Sequence, residues 1–197
     1  MTPFRLGLTG SIGMGKSTTA AFFAAEGIPV WEADAAVYRL YARGGAAVGP
    51  VAALHPPALQ DGAISREMLK RWIGWDETAL HQIEAVVHPL VAADRAAFVT
   101  GSAGDIVLLD IPLLFETGAE AQLDATLVVT APPAVQRRRV LSRPGMTEAL
   151  FQTILAKQLP DAEKRARATH VIETLGLEAV QACVRALIAH IRKTNDA

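Results

Sequence analysis

The run Gly10-Ser11-Ile12-Gly13-Met14-Gly15-Lys16-Ser17 constrains this chain more than any other segment. It fits G-x-x-x-x-G-K-[ST]. It follows the apolar run 4–9, which reads as a buried strand, and precedes the alanine-rich stretch 16–25, which reads as a helix stopped at Gly27. A strand, a glycine loop and a helix in that order make an anion cradle. The glycines open backbone conformations closed to other residues. Successive N–H groups then face inward, and the helix N-terminus adds positive potential at the same point. In such a loop Lys16 reaches the β- and γ-phosphates and the Ser17 hydroxyl ligates Mg2+. The expected ligand of Gly10 to Thr18 is therefore a nucleoside triphosphate with Mg2+. The loop defines a nucleoside triphosphate, not a reaction, because GTPases, motor ATPases and small-molecule kinases share it.

The rest of the chain reads as an α/β protein. Ile28-Pro29-Val30-Trp31, 106–111 and 125–130 are further buried strands, and Val171-Ile172 is a fifth. Helical patterns lie between them, as in a parallel sheet covered on both faces. The gap between the second and third of these strands is too long for one crossover and reads as several helices, an inserted substrate domain. Asp76 is an N-cap candidate there, and Pro89 interrupts the pattern after His88. A helical pair spans 133 to 168, broken at Arg143-Pro144-Gly145, with Thr147 placed to cap the helix that follows.

Composition removes several classes. The 197 residues carry a net charge of −1, which argues against bulk nucleic-acid binding. The one cysteine, Cys183, permits no intramolecular disulfide and suits a reducing cytoplasm. It sits in the apolar pattern Val180, Val184, Leu187, Ile188, Ile191 and reads as a packing residue. The first residues, MTPFRLGLTG, show no apolar h-region, and no stretch approaches a membrane span.

Two acids and an arginine run are the candidates for chemistry. Asp34 lies just past the second strand, where parallel sheets bind ligands. It reads either as a base or metal partner near the γ-phosphate, or as a helix N-cap. Glu32 points to the other side by strand alternation. Asp110 ends the third of the strands and reads either as a Mg2+ ligand or as a loop cap. Arg137-Arg138-Arg139 begins a helix. Arg139 and Arg143 are spaced i, i+4 on one face, and could close over ATP or form a solvated basic face. No guanine motif follows the later strands: Thr130-Ala131-Pro132 stands there instead, which disfavours GTP.

With these parts placed, the chain resembles the dephospho-CoA kinase family over nearly its whole length. LGLTGSIGMGKST looks like the family's opening, and Glu32-Ala33-Asp34 occupies the place of its D-A-D. IEAVVHP (83–89) and IPLLFE (111–116) are similar to its HP and PLLFE segments. Gln136, Arg139 and Arg143 fit its Q-x-x-R-x-x-x-R, and Gln158 and Arg165 match a later glutamine and arginine. The resemblance implies a P-loop core with a five-stranded parallel sheet over 1–34, 101–134 and 169–197. It also implies a helical CoA-substrate domain over 35–100 and a lid over 135–168. It makes Asp34 the catalytic base, with Lys16 and Arg139 as catalytic partners. Arg143 is placed on the nucleotide, and Arg66, His88 and Leu113 on dephospho-CoA. Ser17, Asp34 and Asp110 are placed on Mg2+. The implied reaction transfers the ATP γ-phosphoryl group to the ribose 3′-hydroxyl of dephospho-CoA in the cytoplasm, with no nucleic acid, membrane or obligate protein partner. The sequence departs from the family at Glu32, Tyr38, Ser65 and Thr169. The competing readings are another small-molecule kinase and a nucleotide-dependent switch.

Overall fold

A computed structural model of the chain describes residues 2–195. They fall into two compact units, one running up to Val30 and again from Ser102, the other Trp31–Gly101.

In the first unit β1 (Phe4–Thr9) leads through the glycine loop into α1 (Lys16–Ala25), and the chain passes from the first unit to the second within β2 (Val30–Glu32). The second unit holds α2 (Ala33–Tyr41), α3 (Val48–Leu54), the hairpin strands β3 (Leu59–Gln60) and β4 (Ala63–Ile64), α4 (Arg66–Trp75) and α5 (Ala79–Gly101). The first unit then resumes with β5 (Ile106–Asp110), β6 (Ala125–Thr130), α6 (Pro133–Leu141), α7 (Glu148–Leu155), α8 (Asp161–Arg167), β7 (His170–Glu173) and α9 (Leu177–Asn195).

The five-stranded sheet has the order β2-β5-β1-β6-β7. β1 is central and parallel to both neighbours, with Leu6 opposite Leu108 on one side and Ala125 on the other. Every residue of β5 and β6 is buried, as expected of strands covered on both faces. Leu6, Leu8, Leu108 and Leu127 pack with Phe23 of α1 and with Val184, Ile188 and Ile191 of α9. The smaller unit has its own core of Leu40, Val51, Ile64, Leu69, Trp72, Ile83 and Val87.

Several expectations need correction. The helical reading of 35–100 missed the β3–β4 hairpin. Its turn is Asp61-Gly62, both with positive φ (49° and 79°), the chemistry that a two-residue hairpin turn requires. Pro89 does not interrupt a helix, because α5 runs through it. The one backbone bond lost there is outweighed by the buried stripe of Ile83 and Val87. Asp76 is the C-cap of α4, not an N-cap, and its Oδ1 accepts from the Thr78 N–H at 2.8 Å. The stretch 133–168 folds as three helices rather than two. Cys183 is exposed: on α9 it falls at the edge of the stripe defined by Val180, Val184, Leu187 and Ile191, and the stripe is too narrow to cover it. Among the described residues, no helix is long and apolar enough to cross a membrane.

Candidate active site

The loop between β1 and α1 is held from three sides. Gly13 has φ 78°, and a Cβ there would come within 2.5 Å of Val140 Cγ2 on α6. Only glycine fits both the torsion and the space. Gly15, with φ 87°, is the N-cap of α1. Two glutamines grip the peptide of Ile12: Gln136 Nε2 donates to its carbonyl at 2.8 Å, and Gln158 Oε1 accepts from its N–H at 3.1 Å. The Met14 N–H donates to the Ser11 carbonyl at 3.1 Å. The Ile12 and Met14 amides are therefore committed within the protein and are not among the successive N–H groups expected to face inward. The amides of the first turn of α1 have no intrahelical acceptor. Ser11 and Met14 are buried, and Met14 Sδ accepts from the Ala131 N–H at 3.0 Å. Ser17 and Thr18 are exposed at the start of α1.

Lys16 forms an ion pair with Asp110, at the carboxyl end of β5. Asp110 is only 5% exposed. The buried carboxylate holds the lysine side chain in place at the start of α1.

Arg139, half-buried on α6, donates through Nη1 to Thr174 Oγ1 at 2.9 Å and through Nη2 to the Thr174 carbonyl. Thr174 Oγ1 also lies 2.9 Å from the Met14 carbonyl. One buried hydroxyl thus ties the phosphate loop, the segment after β7 and Arg139 together. No pattern in the sequence marks Thr174, because its partners are 35 and 160 residues away. Arg143 does not share a helix face with Arg139 as its spacing suggested. α6 ends at Leu141 with Ser142 as C-cap, since Pro144 disfavours helical geometry in the residue before it. Both arginines nevertheless line one cavity of about 300 Å3 with Gly13, Gly15, Thr18 and Leu177. Arg137 instead pairs with Glu148 at 2.7 Å. A larger depression of about 790 Å3 opens at the other end of the strands, beside Phe4 and Ile106. Its charges are spent on each other, in the Arg5–Asp124 and Arg192–Asp105 pairs.

A second ion pair supports the segment after β5. Lys164 of α8 is fully buried, with its ammonium 2.8 Å from Glu116 Oε1. The contact is close but not aligned as a hydrogen bond. The same oxygen accepts from the Leu159 N–H at 2.9 Å. Burial pushes the Glu116 carboxyl up, but Lys164 and Leu159 outweigh it, and the net direction is downward from the ordinary 4.5. The stabilisation is therefore present above the unfolded value and is lost as pH falls through the lowered folded one. Glu116→Gln is expected to cost about 2 kcal/mol of stability near neutral pH, because Lys164 stays buried without its counter-charge. Urea titrations should show that deficit shrinking in acid, as Glu116 of the wild type is itself protonated.

The remaining candidates are placed as follows. Leu113, 41% exposed, lies in the turn after β5, beside Pro112, whose carbonyl accepts from Thr9 Oγ1 at 3.0 Å. Asp34, Arg66 and His88 belong to the Trp31–Gly101 unit and are all exposed. Asp34 is not an N-cap: Glu32 holds that position, and Asp34 is in the first turn of α2. The strand-alternation argument fails for the same reason, because the helix has already begun at Ala33. Arg66 opens α4, where Ser65 is the N-cap and accepts from the Met68 N–H at 3.3 Å. Thr169 exchanges bonds with Thr126: its Oγ1 accepts from the Thr126 N–H at 3.1 Å, and its own N–H donates to Thr126 Oγ1 at 3.0 Å. The two departures at Ser65 and Thr169 thus have structural duties.

A glycine phosphate loop joining the central strand to the first helix of a five-stranded parallel sheet places the chain among the P-loop proteins. The family model of dephospho-CoA kinases matches residues 4–177. The chain belongs to the dephospho-CoA kinase family. It is 71% identical to a dephospho-CoA kinase of Cereibacter sphaeroides over 197 residues, all of both chains. A dephospho-CoA kinase of Jannaschia is 58% identical over 189 residues, covering 95% of this chain and 97% of that one. A solved structure from Thermus thermophilus superposes with a TM-score of 0.84 at 38% identity, covering 96% of this chain and 98% of that chain. A dephospho-CoA kinase from Campylobacter jejuni gives 0.73 at 22%, over 97% and 98%, a likeness of fold.

Proposed function

We propose that this protein transfers the γ-phosphoryl group of ATP to the ribose 3′-hydroxyl of dephospho-CoA, giving CoA and ADP, in the cytoplasm. The observation that carries the reading is the phosphate cradle, with its lysine and buried aspartate, in a chain that matches the family almost end to end. The test is ADP formation in a coupled assay. It should require added dephospho-CoA, and AMP, CMP or gluconate should not replace it. ADP release independent of any acceptor would overturn the reading.

The proposed mechanism uses the geometry above. The phosphates lie against the amides of Gly13, Gly15 and the first turn of α1, and Lys16 exchanges Asp110 for the β- and γ-oxygens. The donor set fits Mg2+: an exposed Ser17 hydroxyl at the start of α1 and the Asp110 carboxylate at the end of β5 are hard oxygen ligands. When bound, the ion neutralises charge across the β–γ bridge. The cavity beside Arg139 and Arg143 is assigned to the nucleotide, with the exposed Leu175 and Leu177 at its rim. Arg139 and Arg143 stabilise the charge that spreads over the transferring group. Residues 135–168 act as the lid that excludes water from the γ-phosphate. Asp34, as general base and metal partner, takes the proton of the 3′-hydroxyl, and Arg66, His88 and Leu113 hold the acceptor.

Arg139→Ala is expected to lower kcat about ten- to a hundredfold, the value of a charge-assisted hydrogen bond. The KM for dephospho-CoA should change little. Arg138→Ala, an exposed neighbour on another face of α6, is the control and should be near wild type. If Arg139→Ala raises only the acceptor KM, the arginine belongs to acceptor binding instead.

A further inference from the structure

Arg66 is treated differently from its neighbours in the Trp31–Gly101 unit. Arg39 meets Asp94 at 2.6 Å, Arg71 meets Glu67 at 2.6 Å, and Arg43 donates to the Asp61 carbonyl at 2.7 Å. Among the described residues no carboxylate pairs with Arg66. Its guanidinium carbon lies instead 4.6 Å from the centroid of the Tyr38 ring. Tyr38 is 60% exposed, so burial in the core does not explain an aromatic residue here. The residue before Arg66, Ser65, is occupied in capping α4. An aromatic face attracts a guanidinium without neutralising it, and it leaves the planar fork of N–H donors uncommitted to any carboxylate. A carboxylate in the same place would hold the side chain equally well but would cancel its charge and occupy its donors. An exposed, charged and steadied guanidinium is a receptor for a phosphate group.

We propose that Tyr38 is a positioning residue for the acceptor: its ring holds the Arg66 guanidinium as the docking point for the diphosphate of dephospho-CoA. The inference rests on the proposed function, in which Arg66 contacts the acceptor. It adds the residue that sets the Arg66 geometry and the part of the acceptor that Arg66 meets.

The experiment is steady-state kinetics on three full-length variants, with KM for dephospho-CoA, KM for ATP and kcat measured for each. Arg66→Ala is expected to raise the dephospho-CoA KM about ten- to a hundredfold. Tyr38→Leu should raise it about two- to fivefold, the strength of an exposed cation–π contact. In both variants kcat and the ATP KM should hold. Tyr38→Phe, which keeps the ring and drops the hydroxyl, should restore the dephospho-CoA KM. The Arg66→Ala effect should also weaken as salt is raised. A wild-type KM in Tyr38→Leu alongside a raised KM in Arg66→Ala overturns the role of Tyr38 and leaves the docking of Arg66 standing. An unchanged KM in Arg66→Ala overturns both. A Tyr38→Phe variant as impaired as Tyr38→Leu overturns the ring-stacking account, because the hydroxyl would then be the active group. Tyr38 is exposed, so the variants should melt with the wild type. A fall in kcat and in the ATP affinity together would mark a structural fault and overturn the positioning role.

Discussion

Lys16→Ala is expected to lower kcat by on the order of 10²–10³, the loss associated with one strong contact to developing charge. It should also have a second effect that the phosphate loop by itself would not suggest. Lys16 faces Asp110, which is buried at the end of β5. Removing the ammonium takes one ion-pair partner from that poorly solvated carboxylate, at a cost of about 1–3 kcal/mol. The two effects separate in the double variant. Lys16→Ala with Asp110→Asn removes the carboxylate charge together with the ammonium, so chemical denaturation should show stability recovered. Turnover should stay low, because the cation that follows the phosphates is still missing. A single Lys16→Ala variant within about tenfold of wild-type turnover, far short of what loss of such a contact costs, would remove the phosphate-loop assignment. A double variant as unstable as the single one would mean that the ion pair is not what steadies Asp110.

Asp34→Asn is expected to cut kcat by on the order of 10² or more if Asp34 takes the proton of the acceptor hydroxyl, given general-base contributions of ~10²–10⁴. Its stability should change little. Asp34 is exposed in the first turn of α2, and the N-cap position belongs to Glu32, which makes no side-chain capping bond. What Asp34 gives the helix is a negative charge near its N-terminus, worth about 0.3–1 kcal/mol. Asn and Ala lose that charge equally, so Asp34→Asn and Asp34→Ala should melt together and be equally slow. Turnover and melting temperature measured for both variants decide the matter. An Asp34→Asn enzyme with full turnover has no base at this position, and Asp110 becomes the next candidate.

Much of the protein was legible in its sequence because the signals were local. A glycine loop between an apolar run and a helix needs only neighbouring residues to define it, and Gly10 to Gly15 join β1 to α1. The largely apolar runs 106–111 and 125–130 read as buried strands, and they hold β5 and β6. Thr147 was readable as an N-cap from its place before an apolar helix, and it accepts from the Leu150 N–H at 3.2 Å. What the sequence could not carry was pairing over distance and competition between local rules. Pro89 breaks helices in isolation, yet α5 continues through it because the buried stripe outweighs one lost bond. Arg139 and Arg143 looked like one helix face, but the helix ends between them, and the cavity they share is built by the loop after β7. Thr174, the Ile12 grip of Gln136 and Gln158, the Lys16–Asp110 pair and the Tyr38–Arg66 contact each join residues far apart in the chain. Local sequence chemistry determined which residues could bind a phosphate. Only the tertiary structure decided which charge each of them faces, because ion pairs and stacked rings are properties of neighbours in space.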